Sequence, residues 1–485
     1  MKMSLVLAFL WVGVSSAQAS PLSLAEAVDV ALRQNPAVRG AVETARAADA
    51  RVGQARAPWL PQLNASTQLS GNSSYQTGVT QGSEAVNTLR YSGALQLSQM
   101  IYDFGRTTAR IGGASLGAEA AQSDREATRA QIALRVINSY YAVLQAEALR
   151  DVGRRTLEQQ QQRRLQAESF FRIGTRPEID VLIARTAVAN ADLALVQAEN
   201  NIWLARAGLL EALGVQTEGW HGWLGRPLQA TASPPLPIET GDMQGSVPAA
   251  PAAPSGAAAG PTASDRTGQS SSQEAQLDAM LDQALSHRPD YAAARQRVQQ
   301  AEASLRAVRS DYLPQLSLGL NGQVSGSIGG NTVGTVGGTS RLDVPNAGQP
   351  GFGLTGTLNV AWPVLSGLTT VYAVREATAT LQAAQASLDA LRLAMRSQLL
   401  TALYQLTASN RTVQAAKALA TQADLQLQMA RGRYQAGVGN AIEMGDSAVA
   451  AASAQAQYIQ AQYALYNARA TLLWHLGQLI PGSRT

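Results

Sequence analysis

The sequence is written twice. Leu24 to Leu63 aligns without a gap onto Leu277 to Leu316, 253 positions further on. Ala31-Leu32 falls on Ala284-Leu285, Pro36 on Pro289, Arg56 on Arg309, and Leu60-Pro61-Gln62-Leu63 on Leu313-Pro314-Gln315-Leu316. Later parts repeat at an offset of 263: Gly174 with Gly437, Ala205-Arg206-Ala207 with Ala468-Arg469-Ala470, and Leu213-Gly214 with Leu476-Gly477. Alanine-rich helices align easily by chance, but a gapless Leu-Pro-Gln-Leu in register with an upstream proline does not arise that way. The 485 residues are thus read as two copies of one unit of roughly 200 residues, and not as the three domains that length alone suggests. The first repeat is expected over 20–227 and the second over 276–485. Between them, 228–275 is rich in Pro, Ala, Gly and Ser and reads as a flexible insert.

Two further features limit what the repeats can be. Lys2, the apolar run Leu5 to Val14 and Ala17-Gln18-Ala19 form a signal peptide over 1–19, with Ser20 as the mature start. A signal anchor is the rival, but it needs ~20 apolar residues and this run has about half of them. No cysteine follows the signal, so an N-terminal lipid anchor is not expected. No later stretch reaches eighteen apolar residues, so membrane residence would require a β-barrel. Only 15% of residues are charged, against ~25% in a typical soluble chain. With no Cys and 3 His, zinc clusters, iron–sulfur sites and thiol nucleophiles are excluded or nearly so. The net charge of +4 is too small, and basic runs are lacking, for nucleic acid to be a partner.

Each unit reads as helix, two strands, long helix, tip, helix. Ser23 to Ala57 is predicted helical, with Ser23 as N-cap, Glu26 completing a capping box, and Pro58 and Pro61 as stops. From Leu63 the period becomes two. Leu63, Ala65, Thr67 and Leu69 alternate with Asn64, Ser66, Gln68 and Ser70, and Leu89, Tyr91, Leu95 and Leu97 alternate with Arg90, Ser92, Gln96 and Ser98. The second unit repeats the pattern through Leu316, Leu318, Leu320, Val324 and then Phe352 to Trp362. Hairpins are expected over 62–102 and 315–363. These four alternating segments carry one charge, Arg90, and suit tilted transmembrane strands; half-buried strands of a soluble sandwich are the alternative. Long proline-free helices are expected over 105–173 and 367–436, with heptad-like spacing at Leu134, Ile137, Tyr141, Leu144 and at Leu388, Leu391, Met395, Leu399. A shorter helix, 178–213, returns from the first tip. Two short helices end to end match one long helix in length, as in a cylinder whose staves are half continuous and half spliced.

This order resembles the TolC-type outer-membrane efflux proteins. The resemblance rests on Leu24-Ala25-Glu26-Ala27 through Asn35-Pro36, the two Leu-Pro-Gln-Leu entries, and the step Tyr102-Asp103-Phe104-Gly105-Arg106. It also rests on Phe171-Arg172-Ile173-Gly174-Thr175 with Ile179-Asp180-Val181-Leu182, and on Arg433-Tyr434-Gln435-Ala436-Gly437 with Ile442-Glu443-Met444. It implies a mainly α fold with a transmembrane β-barrel: a homotrimer whose four strands per chain close a 12-stranded barrel in outer-membrane lipid, above a trimeric α-barrel in the periplasm. It further implies a passive duct for efflux or type I secretion, served by a periplasmic membrane-fusion adaptor and an inner-membrane pump of RND, ABC or MFS type. A soluble periplasmic coiled-coil scaffold is the alternative from another class.

The resemblance also points to the tips, 174–177 and 437–440. Packing near Gly174 and Gly437 is expected to help hold the resting tip shut. Asp180 aligns with Glu443 and is expected to tie to Tyr434 or Arg176, holding the resting tunnel shut. The resemblance sets Gly439 at the place of a basic latch residue, which leaves Arg176 or Arg433 as substitutes. Glu443 and Asp446, three apart on one helix face, would become carboxylate rings under three-fold symmetry; as first-turn acids they also suit a helix start without any such role. No catalytic, cofactor or metal residue is expected. Gly351-x-Gly353-x-x-Gly356 matches a dinucleotide fingerprint formally, but it sits inside an alternating strand. His221, His287 and His475 are isolated from one another and read as solvated or packed.

Overall fold

The computed structural model describes residues 21–77, 83–215, 228, 278–330, 333–336, 339–342 and 350–479, with backbone alone for the strand residues after 71 and before 89 and for 328–342. The expected signal peptide, His221 and nearly all of the insert lie outside the described residues. The first repeat gives α1 (Leu24–Gln34), α2 (Pro36–Arg56), β1 (Gln62–Thr77), β2 (Ser83–Tyr102), α3 (Arg106–Arg172) and α4 (Glu178–Leu213). The second gives α5 (278–287), α6 (Pro289–Arg309), β3 (Gln315–Gly330), two four-residue strands β4 (Val333–Val336) and β5 (Thr339–Leu342), β6 (Gly351–Ala361), α7 (Thr369–Gln435) and α8 (Ala441–His475).

One expectation needs correcting. The helix read as continuous from Ser23 to Ala57 is two helices, α1 and α2. Ser23 caps α1 by accepting from the Glu26 amide at 3.2 Å. Asn35 then leaves the helical region (φ −62°, ψ 126°), as a residue before proline must, and Pro36 opens α2. Its side chain bonds both ways, accepting from the Ala37 amide at 2.9 Å and donating to the Ala212 carbonyl at 2.8 Å. Gly214, at φ 72°, ends α4 against this corner, where a Cβ would overlap Asn35 and Pro36. The second repeat breaks at the equivalent Arg288-Pro289, and Gly477 (φ 73°) faces His287.

The molecule forms two compact units, each drawing on both repeats. One comprises Met1–Val42, Asp124–Pro289 and Arg392–Thr485. Its core packs Leu24, Ala27, Ala31, Val136, Ile137, Tyr140, Tyr141, Leu144, Leu209, Leu213 and Leu473. Ile137, Tyr141 and Leu144 are the heptad positions read from α3. Tyr140 donates to the Leu22 carbonyl at 2.9 Å, tying the segment before α1 to α3, and Leu22 bridges to Leu228.

The second unit, Glu43–Ser123 and Asp290–Leu391, carries an antiparallel sheet in the order β1-β2-β3-β6. The register puts the apolar series on one face. Leu63, Leu97, Leu320 and Gly356 form one rung, followed by Ala65, Leu95, Gly322 and Leu354, and then by Thr67, Gly93, Val324 and Phe352. On the next rung of this face a glycine makes room for a large neighbour: Tyr91 lies over Gly326, where a Cβ would strike its ring. The other face is polar, with Asn64, Gln96, Asn321 and Thr355 on one rung and Ser70, Arg90 and Ser327 on another. Gly351, Gly353 and Gly356 lie within β6, as strand residues. The apolar face is open in a single chain, with Leu63, Leu95, Phe352 and Leu354 all exposed. The outer edges of β1 and β6 have no partner strand among the described residues.

The strand-to-helix step is local chemistry. Buried Asp103 accepts from the Thr107 amide at 2.7 Å, satisfying a first-turn donor and placing a carboxylate at the positive end of α3. Phe104 and Gly105 turn with positive φ (52° and 88°), and the second repeat does the same at Gly367 and Leu368 (58° and 66°).

Candidate functional site: the helical tips

Both long helices end in the same way, which the aligned glycines foretell. At the first tip the Gly174 amide bonds the Phe171 carbonyl and the Thr175 amide bonds Phe170, with Gly174 at φ 75°. At the second the Gly437 amide bonds Tyr434, the Val438 amide bonds Arg433, and Gly437 sits at φ 80°. This pairing around a left-handed residue absorbs the orphan carbonyls of a helix end, and glycine takes it without strain. The chain then re-enters a helix. Asn440 caps α8 by accepting from the Glu443 amide at 2.6 Å, whereas Pro177 caps α4 with no side-chain bond.

The two tips meet through Arg176. Its guanidinium donates to the Gly439 carbonyl at 3.1 Å and lies 5.0 Å from the centre of the Tyr434 ring. Gly439 is itself constrained, since a Cβ there would crowd the Tyr434 amide at 2.9 Å. Tyr434 is buried with Ala441 and Met444, and Phe170 packs edge-on against it at 6.3 Å. Asp180 is 9% exposed. Burial raises the Tyr434 hydroxyl above its ordinary pKa, the Asp180 charge adds to that, and Arg176 and Arg163 oppose it. Arg163 is lowered by its own burial and by Arg431; it donates to the Gln160 side-chain oxygen at 2.9 Å.

The sequence-derived residues therefore divide. Arg176, Tyr434 and Asp180 come together in one cluster, with Gly174 and Gly437 forming its corners. Among the described contacts there is no direct hydrogen bond from the Tyr434 hydroxyl to the Asp180 carboxylate, whose influence is electrostatic. Arg433 goes elsewhere and pairs with Glu443 at 3.0 Å, with both side chains substantially exposed. Asp446 is exposed, with no ion pair among the described residues. Sequence reasoning missed Arg163 and Phe170, which nothing in the pattern marks. It also missed Asn440, whose place three residues before Glu443 is a capping signal. Away from the tips, His475 is buried at the end of α8 beside Arg288, and His287 is exposed. Among the described residues no three His, Cys, Asp or Glu side chains could together hold a metal ion, and no helix is long and apolar enough to cross a membrane.

Comparison with known proteins agrees with this architecture. The family profile described as outer membrane efflux protein matches residues 27–215 and 280–478, one match per repeat. Protein CyaE of Bordetella pertussis is 26% identical over 424 residues, covering 87% of this chain and 77% of its own length. Among solved structures, the outer-membrane channel OprN is similar with a TM-score of 0.70 at 21% identity, over 94% of this chain and 90% of its own. The CmeC outer membrane channel of Campylobacter jejuni gives 0.71 at 17% identity, over 95% and 87%. The duplicated unit, the four-stranded sheet with its apolar face, and the paired tips are the parts of one design: this chain belongs to the outer membrane efflux protein family and is an outer-membrane channel for efflux or type I secretion, of a kind that assembles as a homotrimer and works with an adaptor and an inner-membrane pump.

Proposed function

We propose that the tunnel rests closed at its tips, and that within each protomer Arg176 is the latch. The observation that carries this is the Arg176 guanidinium, which joins the first tip to the second through the Gly439 carbonyl and the Tyr434 face. An arginine on the first tip thereby replaces a basic residue at Gly439 itself. Asp180 and Tyr434 form the buried floor of the latch, and Gly174 and Gly437 fix the corners around it. A single partly exposed tie of this sort is worth ~0.5–1.5 kcal/mol, and so is weak enough for a docking adaptor to release. The pump belongs to the RND, ABC or MFS class. The barrel alone holds the mature chain in the outer membrane, without an N-terminal lipid, since no cysteine is present to carry one.

The tip acids set ion preference. Glu443 is partly neutralised by Arg433, so under three-fold symmetry the Asp446 carboxylates carry the larger share of a cation-attracting ring. Planar-bilayer recording tests both halves. Arg176→Ala should raise single-channel conductance, and an unchanged conductance would remove the latch. Glu443→Ala with Asp446→Ala should lower cation selectivity and abolish block by divalent cations. Selectivity that stayed put would mean the acids serve only as helix-start charges.

A further inference from the structure

We infer that Arg90 forms an anion-binding ring inside the barrel, at the end of the membrane band away from the helices. Arg90 is the one charge among the strand residues whose side chains are described. The register sets it between Ser70 and Ser327, on the polar face shared with Asn64, Gln96 and Asn321 and opposite the apolar rungs. Once three chains close the barrel, that polar face lines the lumen. Arg90 is exposed and has no ion pair among the described residues. Its charge is therefore presented to whatever occupies the lumen.

Its level follows from the strand. Trp59, Tyr102, Phe104, Tyr312 and Trp362, all exposed, cluster at the strand ends next to the helices, where an aromatic girdle marks one membrane interface. Arg90 lies twelve residues from Tyr102 along β2. At ~3.4 Å per residue and a tilt of ~40°, that is roughly 30 Å, slightly more than an apolar band of ~25 Å. The arginines thus sit at the outer mouth. Twelve strands about 4.8 Å apart at that tilt close with a radius of roughly 12 Å. An extended arginine spans about half of that, which leaves three guanidinium groups about 10 Å apart around the axis. The Debye length is ~10 Å at 0.1 M salt and ~30 Å at 0.01 M, so the ring acts across the whole lumen in dilute salt and over part of it otherwise. Its ligands are multivalent anions, phosphate- or carboxylate-bearing, whose separate oxyanions each meet one guanidinium.

The proposal rests on the trimeric barrel and is independent of the latch at the tips. The test uses inositol hexakisphosphate as probe, titrated calorimetrically into detergent-solubilised trimers whose assembly is first checked by heat-modifiable mobility. In about 10 mM salt the protein should bind one probe per trimer, and the affinity should fall steeply toward about 200 mM. Arg90→Ser and Arg90→Gln should each weaken this binding tenfold or more, whereas Arg90→Lys should retain most of it. Glu84→Gln, at the next charged position along β2, should leave binding intact or strengthen it, and Arg176→Ala should not affect it. Equal affinity in wild-type and Arg90→Gln trimers would overturn the ring, as would a stoichiometry of three or more with no dependence on residue 90. If Arg90→Ser fails to assemble, Arg90→Gln supplies the comparison; failure of both to assemble, with Arg90→Lys normal, would overturn the inference by making Arg90 an assembly residue.

Discussion

The apolar face of the sheet invites a depth-resolved test with arginine. Leu97, Leu95 and Leu89 lie on one strand and one face, and point to lipid once the barrel closes. Leu97 is five residues from Tyr102, or about 13 Å along the membrane normal, which is the middle of a ~25 Å band. Leu95 comes out at about 18 Å, and Leu89, at roughly 34 Å, is beyond the far interface. An arginine at the midplane costs ~2–4 kcal/mol, falling to ~0–1 near an interface. Three copies per trimer multiply the midplane figure to roughly 6–12 kcal/mol for Leu97→Arg, with less for Leu95→Arg and almost nothing for Leu89→Arg. The readout is the urea midpoint of trimers folded into lipid vesicles, together with the fraction that runs as heat-modifiable trimer. Gln96→Arg, adjacent to Leu97 but on the polar face, is the control and should behave like wild type. Equal costs at the three leucines, or a Gln96→Arg penalty as large as that of Leu97→Arg, would refute the assignment of faces.

Two further outcomes follow from packing and titration. Gly326→Val should force Tyr91 off the sheet and destabilise the trimer by ~1–3 kcal/mol, and adding Tyr91→Ala should recover part of that loss; strictly additive effects in vesicle unfolding would contradict the contact. Tyr141, Tyr463 and Tyr434 all have hydroxyls raised by burial above the ordinary value of about 10. Because the folded state then holds its protons more tightly, their stabilising share is intact below pH ~10 and is lost as the pH climbs from there toward the folded values. Thermal unfolding in detergent should accordingly fall steeply only above pH ~10, and Tyr141→Phe should flatten that limb; a tyrosine-dependent slope between pH 6 and 9 would contradict the direction of these shifts.

Periodicity and repetition made most of the fold legible before any coordinates. Strand faces follow from a period of two, and Leu63, Leu97 and Leu320 do share a rung. The break at Asn35 escaped because helical spacing continues across it. The pre-proline residue was the signal, and its recurrence as Arg288-Pro289 doubled it. At the tips, Gly174 and Gly437 were legible because a left-handed corner demands glycine. The partners of Arg176 and Arg433 were not, since both are one turn or less from a tip and differ only in what faces them: a bare carbonyl at Gly439 for one, the Glu443 carboxylate for the other. Such choices depend on distances that sequence spacing does not encode.

The two unpartnered strand edges reach into genetics. A chain that supplies only a third of a closed wall cannot satisfy its own backbone in hydrocarbon, so it must find two copies before or during insertion. Membrane entry is thereby a three-body event, and one faulty copy compromises the two sound ones joined to it. In a cell making equal amounts of normal and edge-defective subunits, random assembly would leave about one trimer in eight wholly normal. Edge lesions in β1 or β6 should therefore be dominant, whereas lesions that unfold a subunit before it meets its partners should be recessive.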